Sequence, residues 1–101
     1  MSLKLGQAVA ADRRLRILSI LNSEVVCGKC NEILIAELVD LKYGHKVSND
    51  VLRIDLMWLH EALLCEVSIQ RVWIAQISLR GKDVAEGKAF VPGVLKARAD
   101  D

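Results

Sequence analysis

Polar side chains at the start of one predicted helix have the types and spacing to contact a nucleic acid. In the segment 44–64, Ser48 is a favourable N-cap, and Asn49 and Arg53 follow it on the outward side of the first turns. Asparagine reads adenine and arginine reads guanine in the major groove, while a helix N-terminus bearing serine suits a phosphate. We therefore expect these three side chains, supported by Arg71 in a predicted hairpin, to contact double-stranded DNA.

The charge distribution argues partly against this interpretation. The net charge of the 101-residue chain is +1, whereas strong nonspecific DNA binding usually accompanies a basic surface. Asp50 and Asp55, in the same predicted helix, would repel phosphate. Arg13, Arg14 and Arg16 make residues 1–22 basic and could add contacts to the DNA backbone. Both a DNA-reading helix and an ordinary solvated helix fit the pattern.

A second apolar stripe on that helix indicates burial against other protein surfaces rather than contact with DNA. Val51, Ile54 and Trp58 are spaced three and four residues apart, on the side away from Leu52 and Leu56. A helix that is apolar on two sides is buried on two sides. The extra stripe therefore packs beneath neighbouring elements or forms an interface with a second copy or a partner protein, with Trp58 as the anchor.

The three cysteines do not assemble into a recognisable metal or redox site. Cys27 and Cys30 have the spacing of half a zinc site, but structural zinc needs four ligands, and only Cys65, His45 and His60 remain. A thioredoxin-type pair would need a βαβ context. We expect free cysteines, no metal and no cofactor.

The sequence also lacks the motifs of common enzyme classes. It has no nucleophile elbow, no phosphate-binding glycine loop and no cluster of histidine with carboxylates. We expect a binding protein rather than an enzyme, with no small-molecule substrate.

Periodicity and capping signals predict four helices and one β-hairpin. The predicted helices cover about 5–22, 32–42, 49–63 and 78–88, and the strands cover 65–69 and 72–77. In the second helix, Leu34, Leu38 and Leu41 are the expected core positions. The order α-α-α-β-β-α describes an α+β, mostly helical, winged helix-turn-helix. A plain helical bundle is the alternative if the hairpin is absent.

Composition is consistent with one domain, residues 1–89, followed by a tail, residues 90–101. The hydrophobic fraction of 52 % is ample for a core, and aromatic residues make up 4 %. The N-terminus lacks the apolar core of a signal peptide, and apolar runs fall far short of the ~20 residues that span a bilayer. We expect a cytoplasmic protein.

Several short motifs, in order, resemble a family of small proteins encoded near head and packaging genes of Mu-like prophages. The matching pieces are Ala11–Leu15, Ile17-Leu18, Asn31-Glu32, Gly44–Ser48, Asp50, Arg53, Asp55-Leu56, Trp58-Leu59, Arg80-Gly81, Asp83–Ala85, Gly87 and Val91–Val94.

The resemblance implies a winged-helix fold and a phage setting, but no settled activity. Members of that family tend to have glycine near Leu63, polar residues near Val51 and Ile54, and no cysteines at 27 and 30. Our first hypothesis is a DNA-binding protein, such as a transcriptional regulator. The alternative is a protein-interaction module that forms a homodimer or binds a phage assembly partner.

Overall fold

The computed structural model describes residues 4–98, which form an α+β, mostly helical structure of four helices and a small antiparallel sheet. In chain order the elements are α1 (Leu5–Leu21), β1 (Lys29–Asn31), α2 (Glu32–Tyr43), α3 (Asn49–Glu61), β2 (Cys65–Ser68), β3 (Ile74–Ile77) and α4 (Leu79–Ala85). The sheet order is β1-β3-β2. No helix among these residues is long and apolar enough to cross a membrane.

Helix α1 supplies one side of the core. Leu15, Ile17, Leu18 and Leu21 are fully buried, as their spacing predicts, and they face residues from α2, α3, β3 and α4. Burial of an aliphatic side chain stabilises the fold by about 1.5–3 kcal/mol. This face of α1 therefore fixes where α3 lies.

The core face of α2 differs from the prediction. Ile35 and Val39 are fully buried, whereas Leu34 is partly exposed and Leu41 is 83 % exposed. Leu38, the remaining predicted core position, is half-buried and packs against the core. The prediction was wrong for Leu34 and Leu41 because α2 is rich in aliphatic side chains on several faces, so that leucine spacing alone does not identify the buried one.

The turn between α2 and α3 is defined by helix caps. Gly44 ends α2 in the left-handed conformation at φ 74°, which glycine adopts without strain. Ser48 caps α3 by accepting a hydrogen bond from the Val51 backbone N–H at 3.2 Å. These two residues set the orientation of α3 relative to α2, as the sequence predicted.

A third strand, β1, was missed from the sequence, which predicted a connector there. It pairs antiparallel with β3, with Cys30 opposite Ala75, and β3 also pairs with β2, with Val67 opposite Ala75. Three residues are too few to show an alternating pattern, and the strand forms because β3 offers a free edge.

Helix α3 is shorter than predicted and ends in a strained residue. It ends at Glu61 rather than near residue 63, and Leu63 adopts φ 64°. A left-handed conformation stops a helix, and a non-glycine residue adopts it only at a cost. A glycine, which the resemblance leads us to expect near this position, would fit that backbone.

The described part of the tail folds back on the domain. Val91 and Val94 are buried, and the Leu95 backbone N–H donates to the Ala11 carbonyl at 3.1 Å. Gly93 lies against the Trp58 ring, so closely that a Cβ atom there would collide with the indole. Residues 99–101 of the predicted tail lie outside the described residues.

Candidate interaction surface on helix α3

The side chain of Arg53 is paired within the molecule rather than free to read a base. Its Nε donates to Glu32 Oε1 at 2.7 Å and its second nitrogen donates to Oε2 at 2.8 Å. The guanidinium also stacks 4.6 Å above the ring of Trp73. The rigid fork that would recognise guanine is thus occupied by a carboxylate.

Glu32, the partner, is a buried acid with a complete set of donors. It is 2 % exposed and also accepts the Trp73 backbone N–H at 2.6 Å. The Arg53 hydrogen bonds, followed by the Trp73 N–H, outweigh desolvation and hold the pKa of Glu32 below its usual value, with Asn49 acting in the same direction. The start of α2, the first turns of α3 and the residue that precedes β3 are therefore joined at one carboxylate.

The other predicted DNA contacts remain exposed. Ser48 and Asn49 lie at the solvent-facing start of α3, where the Ser48 hydroxyl serves as the helix cap. Arg71 is exposed between β2 and β3 and makes no hydrogen bond or ion pair with the rest of residues 4–98. The structure places these three side chains at the surface, but Asn49 also interacts with Glu32, the carboxylate that holds Arg53.

The basic residues of α1 are also engaged internally. Arg13 forms a two-bond ion pair with Asp55, which is 1 % exposed, and Arg14 lies 3.6 Å from the same carboxylate. Arg16 is paired with Asp12 at 3.2 Å. The Asp55 contacts join α1 to α3, the Arg16 pair lies within α1, and together they leave little of this charge available to a DNA backbone.

The three predicted interface residues have different environments. Val51 is half-buried and Ile54 is 66 % exposed. Trp58 is half-buried, with Arg14 stacked 4.3 Å above its ring and Gly93 against it. Trp58 is therefore mainly an intramolecular anchor for the tail, and Ile54 is the exposed member of the set.

A groove of about 580 Å³ runs beside the exposed face of α3. Its lining is mainly apolar, with one acid and the paired Arg53 guanidinium. The lining residues are Arg53, Ile54, Met57, Trp58, Glu61, Ala62 and Trp73.

The outward stripe of α3 has an acid at each end and apolar side chains between them. Asp50, Ile54, Met57 and Glu61 are spaced four, three and four residues apart, which places them on one helical face. All but Met57 are exposed, and Met57 is half-buried. We refer to these four residues as the α3 stripe. The predictions noted the acidity of this helix but missed the stripe, which the same spacing rule identifies.

The cysteines and histidines are held in separate places. His45 Nε2 lies 2.6 Å from Asp12, and His60 Nδ1 accepts the Val67 backbone N–H at 3.2 Å. Burial raises the pKa of the Cys65 thiol to about 12. Within residues 4–98, no group of three or more histidine, cysteine or acidic side chains is arranged to hold a metal ion.

Comparison with known proteins gives one informative relative. The chain is 38 % identical over 96 residues to a protein of Escherichia phage Mu described as uncharacterized protein gp26, and the match covers 93 % of this chain and 96 % of that protein. No family model matches the chain. No solved structure matches it.

Proposed function

We propose that this chain, which belongs to the family of the phage Mu protein gp26, is a non-enzymatic module that binds another protein through the α3 stripe and the adjoining groove. One observation carries the proposal. The outward face of α3 presents Ile54 and Met57 between two acids, while the arginine of that helix is neutralised by Glu32. Such a face suits a protein partner better than a phosphate backbone.

The proposed fold of this module is a winged helix-turn-helix. Support comes from the element order α1-β1-α2-α3-β2-β3, from the capped turn between α2 and α3, and from β1 lying beside β3 in a three-stranded sheet. In this arrangement α3 is the helix that DNA-binding relatives of the fold place in the major groove, and the β2–β3 hairpin is the wing. A fold does not itself dictate a ligand, so the choice between DNA and a protein as the ligand rests on which side chains α3 exposes.

A second copy of the chain is a poor occupant for the α3 stripe. If two α3 helices paired antiparallel about a twofold axis between Ile54 and Met57, Asp50 of one chain would face Glu61 of the other. Parallel pairing would place each acid opposite itself. Like charges at such positions destabilise the contact between two copies, so we propose that the α3 stripe binds a different protein. Because the chain belongs to a phage protein family, we expect that partner to be another phage protein.

Photo-cross-linking tests whether the stripe contacts a protein. A photoreactive phenylalanine analogue replaces Met57 in the stripe or, as a matched control, Leu41 on α2, which is 83 % exposed. In cells with an induced Mu-like prophage, we expect a discrete protein adduct from position 57 and none from position 41. Adducts from both positions, or from neither, would contradict the proposal.

DNA binding is the second candidate. The exposed Arg71 in the proposed wing and the exposed Ser48, Asn49 and Lys46 near the start of α3 support it. Fluorescence anisotropy with a mixed-sequence labelled duplex at low and moderate salt tests it, because phosphate contacts release counterions and weaken steeply with salt. Salt-sensitive binding that falls in the Arg71→Ala variant would favour this candidate over the protein module.

A further inference from the structure

We infer that the partner inserts an amphipathic segment in which an apolar pair is flanked on both sides by lysine or arginine. This inference rests on the proposed function, because it specifies what the groove beside the α3 stripe accepts.

The charges of the groove point to a cationic partner. Neither Asp50 nor Glu61 forms a salt bridge within residues 4–98. The one cation in the groove lining, Arg53, is held by both oxygens of Glu32. The acids at the two ends of the stripe therefore have no ion-pair partner within residues 4–98, and Arg53, which attracts Asp50 electrostatically, gives its hydrogen bonds to Glu32.

The spacing of the stripe defines the length of the partner segment. Asp50 and Glu61 are eleven residues apart in sequence, which corresponds to about 16 Å along a helix. Ile54 and Met57 occupy the interval, and Trp73 provides an apolar wall across the groove. A partner helix matches this arrangement if it carries two apolar residues one turn apart and a cation about 8 Å along the helix on each side of the centre of that apolar pair. This is helix-in-groove recognition.

The apolar centre gives the contact its affinity, and the acids give it selectivity. Ile54 is 66 % exposed and loses that exposure when a segment fills the groove. Exposed ion pairs at the ends add little affinity but disfavour an acidic segment through like-charge repulsion. The phosphates of a DNA duplex would be repelled by Asp50 and Glu61. The duplex has no apolar ridge that could offset this repulsion by packing on Ile54.

Synthetic helical peptides test this inference directly. The probe is a labelled 18-residue peptide with a leucine pair flanked by lysines, and the matched control carries glutamates in place of those lysines. By anisotropy, we expect the wild-type protein to bind the lysine peptide at least ~10-fold more tightly, and the Ile54→Glu variant to lose binding of both. Equal affinity for the two peptides, or no binding of the lysine peptide at millimolar concentration, would overturn the inference.

A charge-swapped protein provides the reciprocal test. The Asp50→Lys, Glu61→Lys double variant should prefer the glutamate peptide, and Asp50→Asn with Glu61→Gln should lose the preference without reversing it. The same double variants, each with the photoreactive residue at position 57, distinguish the proposal of a protein-binding module from the proposal of a cationic partner segment. An adduct retained in the charge-swapped protein would refute the cationic partner and leave the protein module standing, whereas absence of any adduct in the wild-type background would refute both.

Discussion

Arg53 of α3 joins both oxygens of Glu32, the first residue of α2, and stacks on Trp73, the residue that precedes β3. This contact gives an arginine of α3 a structural role. A side chain that sequence spacing marks as a DNA reader instead connects two helices and the residue before β3. The surface of α3 that remains available is the α3 stripe.

Replacement of Arg53 tests whether its pairing with Glu32 stabilises the fold. Arg53→Ala leaves the buried Glu32 with the Trp73 N–H as its remaining strong donor, and an incompletely paired buried charge is destabilising. We expect the melting temperature to fall by several degrees. Arg71→Ala is the matched control, because Arg71 is exposed and makes no contact of this kind, and its melting temperature should equal that of the wild type. Equal melting temperatures for all three proteins would contradict the assignment.

Acidification should destabilise the protein through Glu32. Its pKa in the folded protein lies below the 4.5 of the free side chain, mainly because Arg53 hydrogen-bonds to the carboxylate. The stabilisation is therefore fully present above about pH 4.5 and is lost as the pH falls through the lower folded value. Urea unfolding between pH 7 and pH 3 should show this loss, with a shallower pH dependence in Glu32→Gln.

The control for this pH effect is Glu86→Gln. The pKa of Glu86 is also lowered, by Lys88 and then Asn22, but the group is exposed and its ion pair is screened by solvent. We expect this variant to follow the wild-type pH dependence. If Glu86→Gln flattened the curve and Glu32→Gln did not, the assignment to Glu32 would be refuted.

Leu63→Gly should stabilise the protein. Leu63 has φ 64° and is 70 % exposed, so glycine relieves about 1 kcal/mol of backbone strain at little cost in packing. After the entropic cost of a glycine, we expect a net gain of about 0.5 kcal/mol, or roughly 2–4 °C in melting temperature. Leu63→Ala, which keeps the Cβ atom, should show no gain. A gain in the alanine variant, or none in the glycine variant, would contradict the argument.

Gly93→Ala should release the tail from Trp58. Gly93 has φ 97°, and an added Cβ atom would collide with the indole ring, so the tail must move. We expect a shift in tryptophan fluorescence and faster trypsin cleavage at Lys96, which is already exposed. Gly6→Ala is the control, because a Cβ atom there meets nothing within 4 Å. Unchanged cleavage in Gly93→Ala would show that the tail does not depend on this contact.

The thiols should differ sharply in reactivity. Cys27 is exposed, whereas burial raises the pKa values of Cys30 and Cys65, the latter to about 12. Because the thiolate is the reactive form, iodoacetamide at pH 8 should modify one thiol per folded chain. Mass spectrometry of wild type and Cys27→Ser checks this, with no rapid modification expected in the variant. Rapid modification of the folded Cys27→Ser protein would contradict the burial of the other two.

Local signals in the sequence predicted most of the helical framework. Gly44 and Ser48 specify the capped turn, and Leu52, Leu56 and Leu59 specify the buried face of α3, from neighbouring residues alone. Leu63, which continues the same spacing, lies beyond the end of α3 and is 70 % exposed. The short strand β1 depends on its partner β3, more than 40 residues away, and carries no periodicity of its own. The core face of α2 was predicted only at Leu38, because several faces of this helix are apolar.

The candidate site was harder to predict because pairing partners are a tertiary property. The spacing of Asn49 and Arg53 suggested DNA reading, but the sequence does not reveal that Glu32 is buried beside Arg53. Ile54 was assigned to an interface and lies at an exposed surface, whereas Trp58 is largely covered by Arg14 and the tail. Whether these residues bind a partner stays a prediction.

Affinity capture with matched variants tests the central claim most directly. The tagged wild type, Ile54→Glu and Leu41→Glu proteins are exposed to nuclease-treated extracts of cells with an induced Mu-like prophage. Both substitutions place an acid at an exposed aliphatic position and should change stability by less than about 0.5 kcal/mol. We predict that a phage protein is retained by the wild type and by Leu41→Glu and is lost from Ile54→Glu. Retention of the same proteins by all three, or capture by the wild type from an untreated extract that disappears in the nuclease-treated one, would contradict an α3 surface that binds protein.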